Sequence, residues 1–370
     1  MDNYQNELAG TEVFKLAPDD INHLFRRSGV KGNSLSPFTY NPEQAATSSP
    51  SELFKTLSES PRLGQVAGRL LEPDLKIEFN RGGAGAADDQ YYVLLSNADK
   101  TVLAQMVNSQ GDILLLLFDD WESFLEWWTG VYASPGMGGY QKVFPGVMEI
   151  EVLVCALHCI DIYRRSFMES MLDFRSGLSL SLTTSDFVQL LKRSLASKDK
   201  RWLLPTMFEV TPGLKNSSIA LKPEHIKQAG EIGFVASNES ILTLGERSRI
   251  MGTEFMTSWL GAIGWQATAL INGGERSLSR VYLAPTAFAN HLFSFETGAN
   301  GEGRFRHQAS TAAELKQTLA KWMEALQKAT GRPAPAKSEK KSTAKAKFCG
   351  QCGAEIRPGK KFCTKCGAKL

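Results

Sequence analysis

Four cysteines near the end of the 370-residue chain, Cys349, Cys352, Cys363 and Cys366, are spaced C-x2-C-x10-C-x2-C, with Gly353 and Gly367 after the two pairs. Two sulfurs separated by two residues can chelate one ion from a single tight turn, and glycine after the second sulfur suits a backbone that needs positive φ there. Four thiolates at ~2.3 Å, arranged tetrahedrally, leave no open position for water or substrate, so the expected chemistry is one structural Zn2+ rather than a catalytic one. A segment of about two dozen residues buries too little core to fold alone, and metal binding would supply its folding free energy. Phe348 and Phe362, one before each pair, are expected to form its small apolar core. Two disulfides or a redox C-x-x-C pair are the competing chemistries. Both fit less well: the polar start MDNYQNELAG lacks a secretory h-region, which leads us to expect a reducing, cytoplasmic setting, and no strand-to-helix pattern surrounds either pair.

By these same residues the tail from 348 to 369 resembles the zinc-ribbon family, short modules appended to otherwise unrelated proteins. The resemblance implies a zinc-stabilised recognition module, and such modules serve nucleic-acid, protein and purely structural ends. Residues 331–370 carry 11 Lys and Arg against 2 Asp and Glu, a formal +9, while residues 1–330 carry 31 against 37, a formal −6. Thiolates around a zinc lower the tail to about +7. Arg357, Lys360, Lys361 and Lys365 can meet phosphate, but no interleaved aromatics remain for base stacking. Nucleic acid is therefore a secondary, weak partner in this reading, and the segment GRPAPAKSEKKSTAKAK (331–347) reads as a flexible basic linker.

The rest of the chain shows no catalytic constellation. FNRGGAGAADDQ (79–90) lacks the Gly-Lys-Ser/Thr ending of a phosphate loop and is followed by a strand pattern, so a hairpin loop is expected. Cys155, His158 and Cys159 share one helical face, but their neighbours are Val, Leu, Ala and Ile, which marks a buried helix with core cysteines. Asp119 and Asp120 suit the N-terminal dipole of the tryptophan-rich helix after them. The five histidines have no H-E-x-x-H spacing, and there is no G-x-S-x-G elbow. The apolar windows ILLLLF and VLVCALHCI are too short to span a membrane and are bounded by charges. We expect no enzyme and no membrane partner.

What must position any site is an α+β body, with composition typical of a globular protein at 42% hydrophobic and 22% charged residues. LAPDDINHLFRRS (16–28) aligns without a gap on LTTSDFVQLLKRS (182–194), both with one apolar helical face. Each is followed by further helix and then several alternating, turn-separated strand segments and a closing helix; the last of these begins with the capping box Thr311 to Glu314. The expectation is two similar helix/antiparallel-sheet/helix halves, 1–175 and 176–330, then the linker 331–347 and the ribbon 348–370. In the order ELFKTLSESPRLGQVAGRLL, YYVLLSNADKTVLAQMVNSQGDILLLLF, helix, and a second half of the same kind, residues 10–328 resemble the EspG family of type VII secretion chaperones. That resemblance implies a cytosolic, non-enzymatic protein holding a helical secretion substrate by its exposed tip, and carries over no site residue.

One loop stands out. TGVYASPGMGGYQKVFPGV (129–147) is too rich in glycine and proline for a regular element, yet carries aromatics and methionine. Met137, Tyr140 and Phe144 are expected to contact a protein partner. The functional expectation is a protein-binding, chaperone-like protein with a structural ribbon; a nucleic-acid-associated protein is the alternative, and an unrecognised enzyme comes third.

Overall fold

A computed structural model of the chain describes residues 11–82, 90–96, 99–107, 111–138, 143–214, 219–298 and 301–330, and the backbone of 347–348 and 355–356. The chain divides into a unit ending at Thr330 and a unit from Gly331 onward.

The first unit starts with strand β1 (Thr11–Leu16) and helices α1 (Asp20–Ser28), α2 (Pro42–Thr47), α3 (Glu52–Glu59) and α4 (Leu63–Leu71). Between Ser51 and Leu71 the chain forms two helices: Ser51 caps the first by accepting from the Phe54 N–H, and Pro61 sits in the break between them. A four-strand meander follows, β2 (Leu75–Arg81), β3 (Gln90–Leu95), β4 (Val102–Val107) and β5 (Ile113–Phe118), closed by α5 (Trp121–Tyr132). Asp120 caps α5, accepting from the Ser123 N–H at 2.8 Å.

Strand β6 (Val147–Glu149) leads into the 23-residue helix α6 (Ile150–Leu172). Then come β7 (Ser181–Thr183), α7 (Thr184–Ala196), α8 (Leu203–Val210), α9 (Pro223–Glu231), β8 (Val235–Asn238), β9 (Ile241–Leu244) and α10 (Glu246–Glu254). A second meander, β10 (Ile263–Ile271), β11 (Gly274–Pro285), β12 (Asn290–Thr297) and β13 (Gly303–Ser310), ends in α11 (Ala312–Ala329), whose capping box from Thr311 to Glu314 is formed as expected. Before this meander, FMTSWL forms a 3-10 turn at Phe255–Leu260.

The ten-stranded sheet has the order β1-β5-β4-β3-β2-β10-β11-β12-β13-β6, all pairs antiparallel. The two meanders therefore join at β2 and β10 within one sheet. Because β6 pairs with β13, residues from 147 onward join the second meander, ahead of the change expected at 175. Strand β7 lies in a separate three-stranded sheet with β9 and β8, so the aligned helices α1 and α7 follow strands of different sheets.

Period-two alternation explains the layers. In β5, Ile113, Leu115 and Leu117 pack with α1, α3 and α4, while Leu116 and Phe118 join the opposite face with α5 and α11. This is why ILLLLF is apolar throughout: both faces are covered. A third core gathers α6 to α10 against Tyr282, Ala284, Phe293 and Phe305 of the second meander. Cys155 and Cys159 are fully buried there, and burial pushes the Cys155 thiol up to about 12 and the Cys159 thiol higher still. His158, 2% exposed, has its pKa lowered to about 4 by burial and approaches the Phe187 carbonyl oxygen through Nε2 at 3.3 Å. Protonated thiols and a neutral imidazole are what a packed helix requires.

Candidate functional site

The loop expected to contact a partner is a strap pinned to the body. Its first residues, to Tyr132, close α5, and residues 134–137 are tied by hydrogen bonds from Met137 N–H to the Phe288 carbonyl, from Ala312 N–H to the Pro135 carbonyl and from Ser134 N–H to Asn290 Oδ1. Met137 is 76% exposed. Phe144 is 2% exposed and packs its ring against Phe234, Phe293 and Phe305; it is a core side chain, not the surface anchor expected from sequence, because Val143 and Phe144 turn inward ahead of β6. Tyr140 lies outside the described residues.

A different surface presents apolar side chains to solvent. Of the 14 large apolar side chains exposed among the described residues, four fall between 168 and 174: Met168, Met171, Leu172 and Phe174. They form a ridge at the C-terminal end of α6. The helix ends in a Schellman turn: the Arg175 N–H donates to the Ser170 carbonyl at 2.9 Å and the Phe174 N–H to the Met171 carbonyl at 3.4 Å. The Ser170 hydroxyl donates back to the Arg175 carbonyl at 2.8 Å, fastening the turn. The residue that must turn left-handed in such a motif is usually glycine; here it is Phe174, at φ +51° and 97% exposed.

Beside the ridge runs a cleft of about 740 Å³ between α6, β7, α7 and the start of α8. On α6 its lining recurs from His158 to Leu172 at helical spacing, and Met168 and Leu172 belong to both ridge and cleft. Half-buried Ile162, Leu182 and Leu190 supply apolar surface, and exposed Arg165, Glu169 and Arg193 supply charge.

The wall of the cleft is held by a buried ion pair. Asp161 accepts from Arg164 Nη1 at 2.7 Å and from the Leu203 and Leu204 N–H groups, each at 3.0 Å, at the N-terminus of α8. Arg164 also donates to the carbonyls of Arg201 (2.8 Å) and Met256 (3.2 Å) and lies over the Trp202 ring. One pair thereby ties α6, α8 and the 3-10 turn together. Gly252 of α10 allows close packing on the same helix, since an added Cβ would lie 2.2 Å from the Tyr163 ring.

Two further polar clusters have structural explanations. Glu254, His291 and His307 form a chain, with His291 Nε2 2.8 Å from Glu254 Oε1 and His291 Nδ1 3.0 Å from His307 Nε2, enclosed with Phe255 and Phe293. Glu149, Glu151 and His225 converge closely enough for a cation. However, His225 Nδ1 accepts from the Lys222 N–H at 3.1 Å, so its proton sits on Nε2 and points to Glu149 at 2.9 Å. This is a helix cap in which a neutral imidazole donates to a carboxylate.

The predicted zinc ligands Cys349, Cys352, Cys363 and Cys366 lie outside the described residues. Backbone pairing of Lys347 with Ile356 and Phe348 with Glu355 makes a hairpin of strands β14 (Lys347–Phe348) and β15 (Glu355–Ile356). In sequence the segment between the strands contains Cys349 and Cys352, two of the four sulfur donors that the spacing offers a zinc ion. Residues 348–370 match the family model of the zinc-ribbon domain. The tail is a zinc-ribbon domain. Zinc binding follows for the ribbon, and the body must be read from its own surface, because no curated protein matches the chain. Among the described residues no helix is long and apolar enough to cross a membrane.

The ridge was missed in sequence because Met168, Met171 and Leu172 sit at the spacing of an ordinary packed face. The available signal was MLDFRSG: a phenylalanine placed beyond the last helical residue, where a terminating glycine is expected.

Proposed function

We propose that the protein is a non-catalytic, chaperone-like binding protein that takes up a segment of another protein on the ridge and cleft of α6 and α7. In this reading the ribbon is a structural module holding one zinc through Cys349, Cys352, Cys363 and Cys366. The single observation that carries the binding role is Phe174. A residue in the left-handed region costs ~1–2 kcal/mol relative to a relaxed backbone unless it is glycine, and a side chain that is 97% exposed regains none of that by packing. Strained backbone positions held by surrounding hydrogen bonds concentrate at functional sites. Methionines beside the phenylalanine supply the adaptable apolar surface that partner-binding sites use. The sequence resemblance of residues 10–328 to EspG-type chaperones favours a helical secretion substrate as the guest and a cytoplasmic setting. A nucleic-acid role rests on the basic tail alone and is the lesser reading.

Site-specific photo-cross-linking tests the proposal. A benzophenone amino acid replacing Phe174 in the full chain, irradiated in the native cell, is expected to give one discrete protein adduct. The same probe replacing Val107, which is 58% exposed on the first meander, is expected to give none. Equal adduct patterns at both positions would remove the ridge from consideration.

A further inference from the structure

We infer that the guest is an acidic, amphipathic helix of another protein, lying along the cleft with its apolar face on Phe174 and the methionines and its carboxylates toward the α6–α7 cations. This rests on the proposed binding role of the same surface and adds the chemical class of the guest.

The first argument is shape. The lining from His158 to Leu172 recurs along one face of α6, and α7 contributes Leu190, Arg193 and Ser194 opposite it. A trough between two helices, lined at helical spacing with Ile162, Met168 and Leu172 as the apolar members on α6, takes a third helix by its i, i+3, i+4, i+7 residues. The span from His158 to Leu172 corresponds to about 21 Å, or about four turns of guest helix.

The second argument is charge. Residues 165–202 carry 7 Lys and Arg against 4 Asp and Glu, a formal +3, within a body of formal −6. Three of the four acids are already matched locally: Glu169 with Arg165 at 2.7 Å, Asp173 with Arg175 at 3.1 Å and Asp199 with Arg201 at 2.7 Å. The fourth, Asp186, accepts at the N-terminus of α7 from the Thr183 hydroxyl at 2.7 Å. The net excess therefore lies with cations such as Lys192 and exposed Arg193, and Arg193 lines the cleft. The acidic remainder of the body repels an acidic guest, while the basic strip attracts it and steers it to this place. An anionic membrane shares the charge, but a concave trough at helical spacing fits a helix better than a bilayer.

The test is a selection with the full-length protein. A displayed library of 18-residue peptides keeps a leucine face at helical spacing and randomises the flanking positions equally between Glu and Lys. Winners are counter-screened against Phe174→Gly and Arg193→Glu, and vesicles of phosphatidylserine are assayed alongside. The expected result is enrichment of Glu at the flanks, with binding at least ~10-fold weaker to each variant. Enriched peptides that need Phe174 but show no preference for Glu would overturn the acidic guest and leave the binding role standing. Peptides indifferent to Phe174, or no enrichment at all, would overturn both. Vesicle binding that depends on Phe174, without peptide enrichment, would replace the helix by a lipid surface.

Discussion

Replacing Cys352 by serine is expected to abolish zinc binding and unfold the ribbon while leaving thermal unfolding of the body unchanged. The ribbon has too few residues to bury a stabilising core, so its folding free energy comes from the metal, with apparent values of ~10–16 kcal/mol for structural zinc in peptides of this size. With four cysteines expected to hold the ion, serine at one position leaves an incomplete ligand set. The body is a separate unit ending at Thr330, so its melting should not follow the metal. Metal analysis is expected to give one equivalent of zinc for the full chain and none for a chain truncated after Thr330. Zinc retained by the truncated chain would contradict the ribbon as the zinc site.

Arg164→Met is expected to cost the body ~3–5 kcal/mol, the usual consequence of leaving one member of a buried ion pair without its counter-charge. Burial pushes the Asp161 carboxyl above the ordinary carboxylate range, and Arg164 with the Leu203 and Leu204 N–H groups opposes that push. Without the guanidinium, the carbonyls of Arg201 and Met256 also lose their donor, so three elements loosen together. Urea unfolding should show a large fall in midpoint. The neighbouring Arg165→Met, which breaks only the exposed pair with Glu169, should change stability by no more than ~0.5 kcal/mol. Equal effects of the two substitutions would mean that the buried pair does not hold α6 to α8.

The contrast between these two arginines shows what could be read in the sequence and what could not. Local rules carried the ribbon, the antiparallel meanders and the capping box at Thr311, because cysteine spacing, period-two alternation and cap chemistry all act within a few residues. The role of Asp161 and Arg164 was hidden because the groups that satisfy Asp161 are N–H groups of α8, some 40 positions further on. Phe144 was misjudged for a related reason: glycine and proline around it disclose the lack of regular structure but not which way the strap turns. Periodicity likewise reports that one face of α6 is apolar and is silent on whether anything covers it. The exposed ridge of Met168, Met171, Leu172 and Phe174 became visible only with burial.

Phe174→Gly offers the most direct test of the binding surface, because it separates stability from function by sign. Glycine relieves the left-handed backbone at the end of α6, removes no packing, and should raise the melting temperature by about 2 °C for ~1 kcal/mol gained. The same substitution removes the largest exposed anchor and should weaken capture of the partner identified by cross-linking at least ~10-fold. The measurement is thermal unfolding and partner affinity on one preparation of that variant beside the wild-type chain. A higher melting temperature with weakened capture is the predicted result; a lower melting temperature, or unchanged capture by a stable variant, would contradict the account.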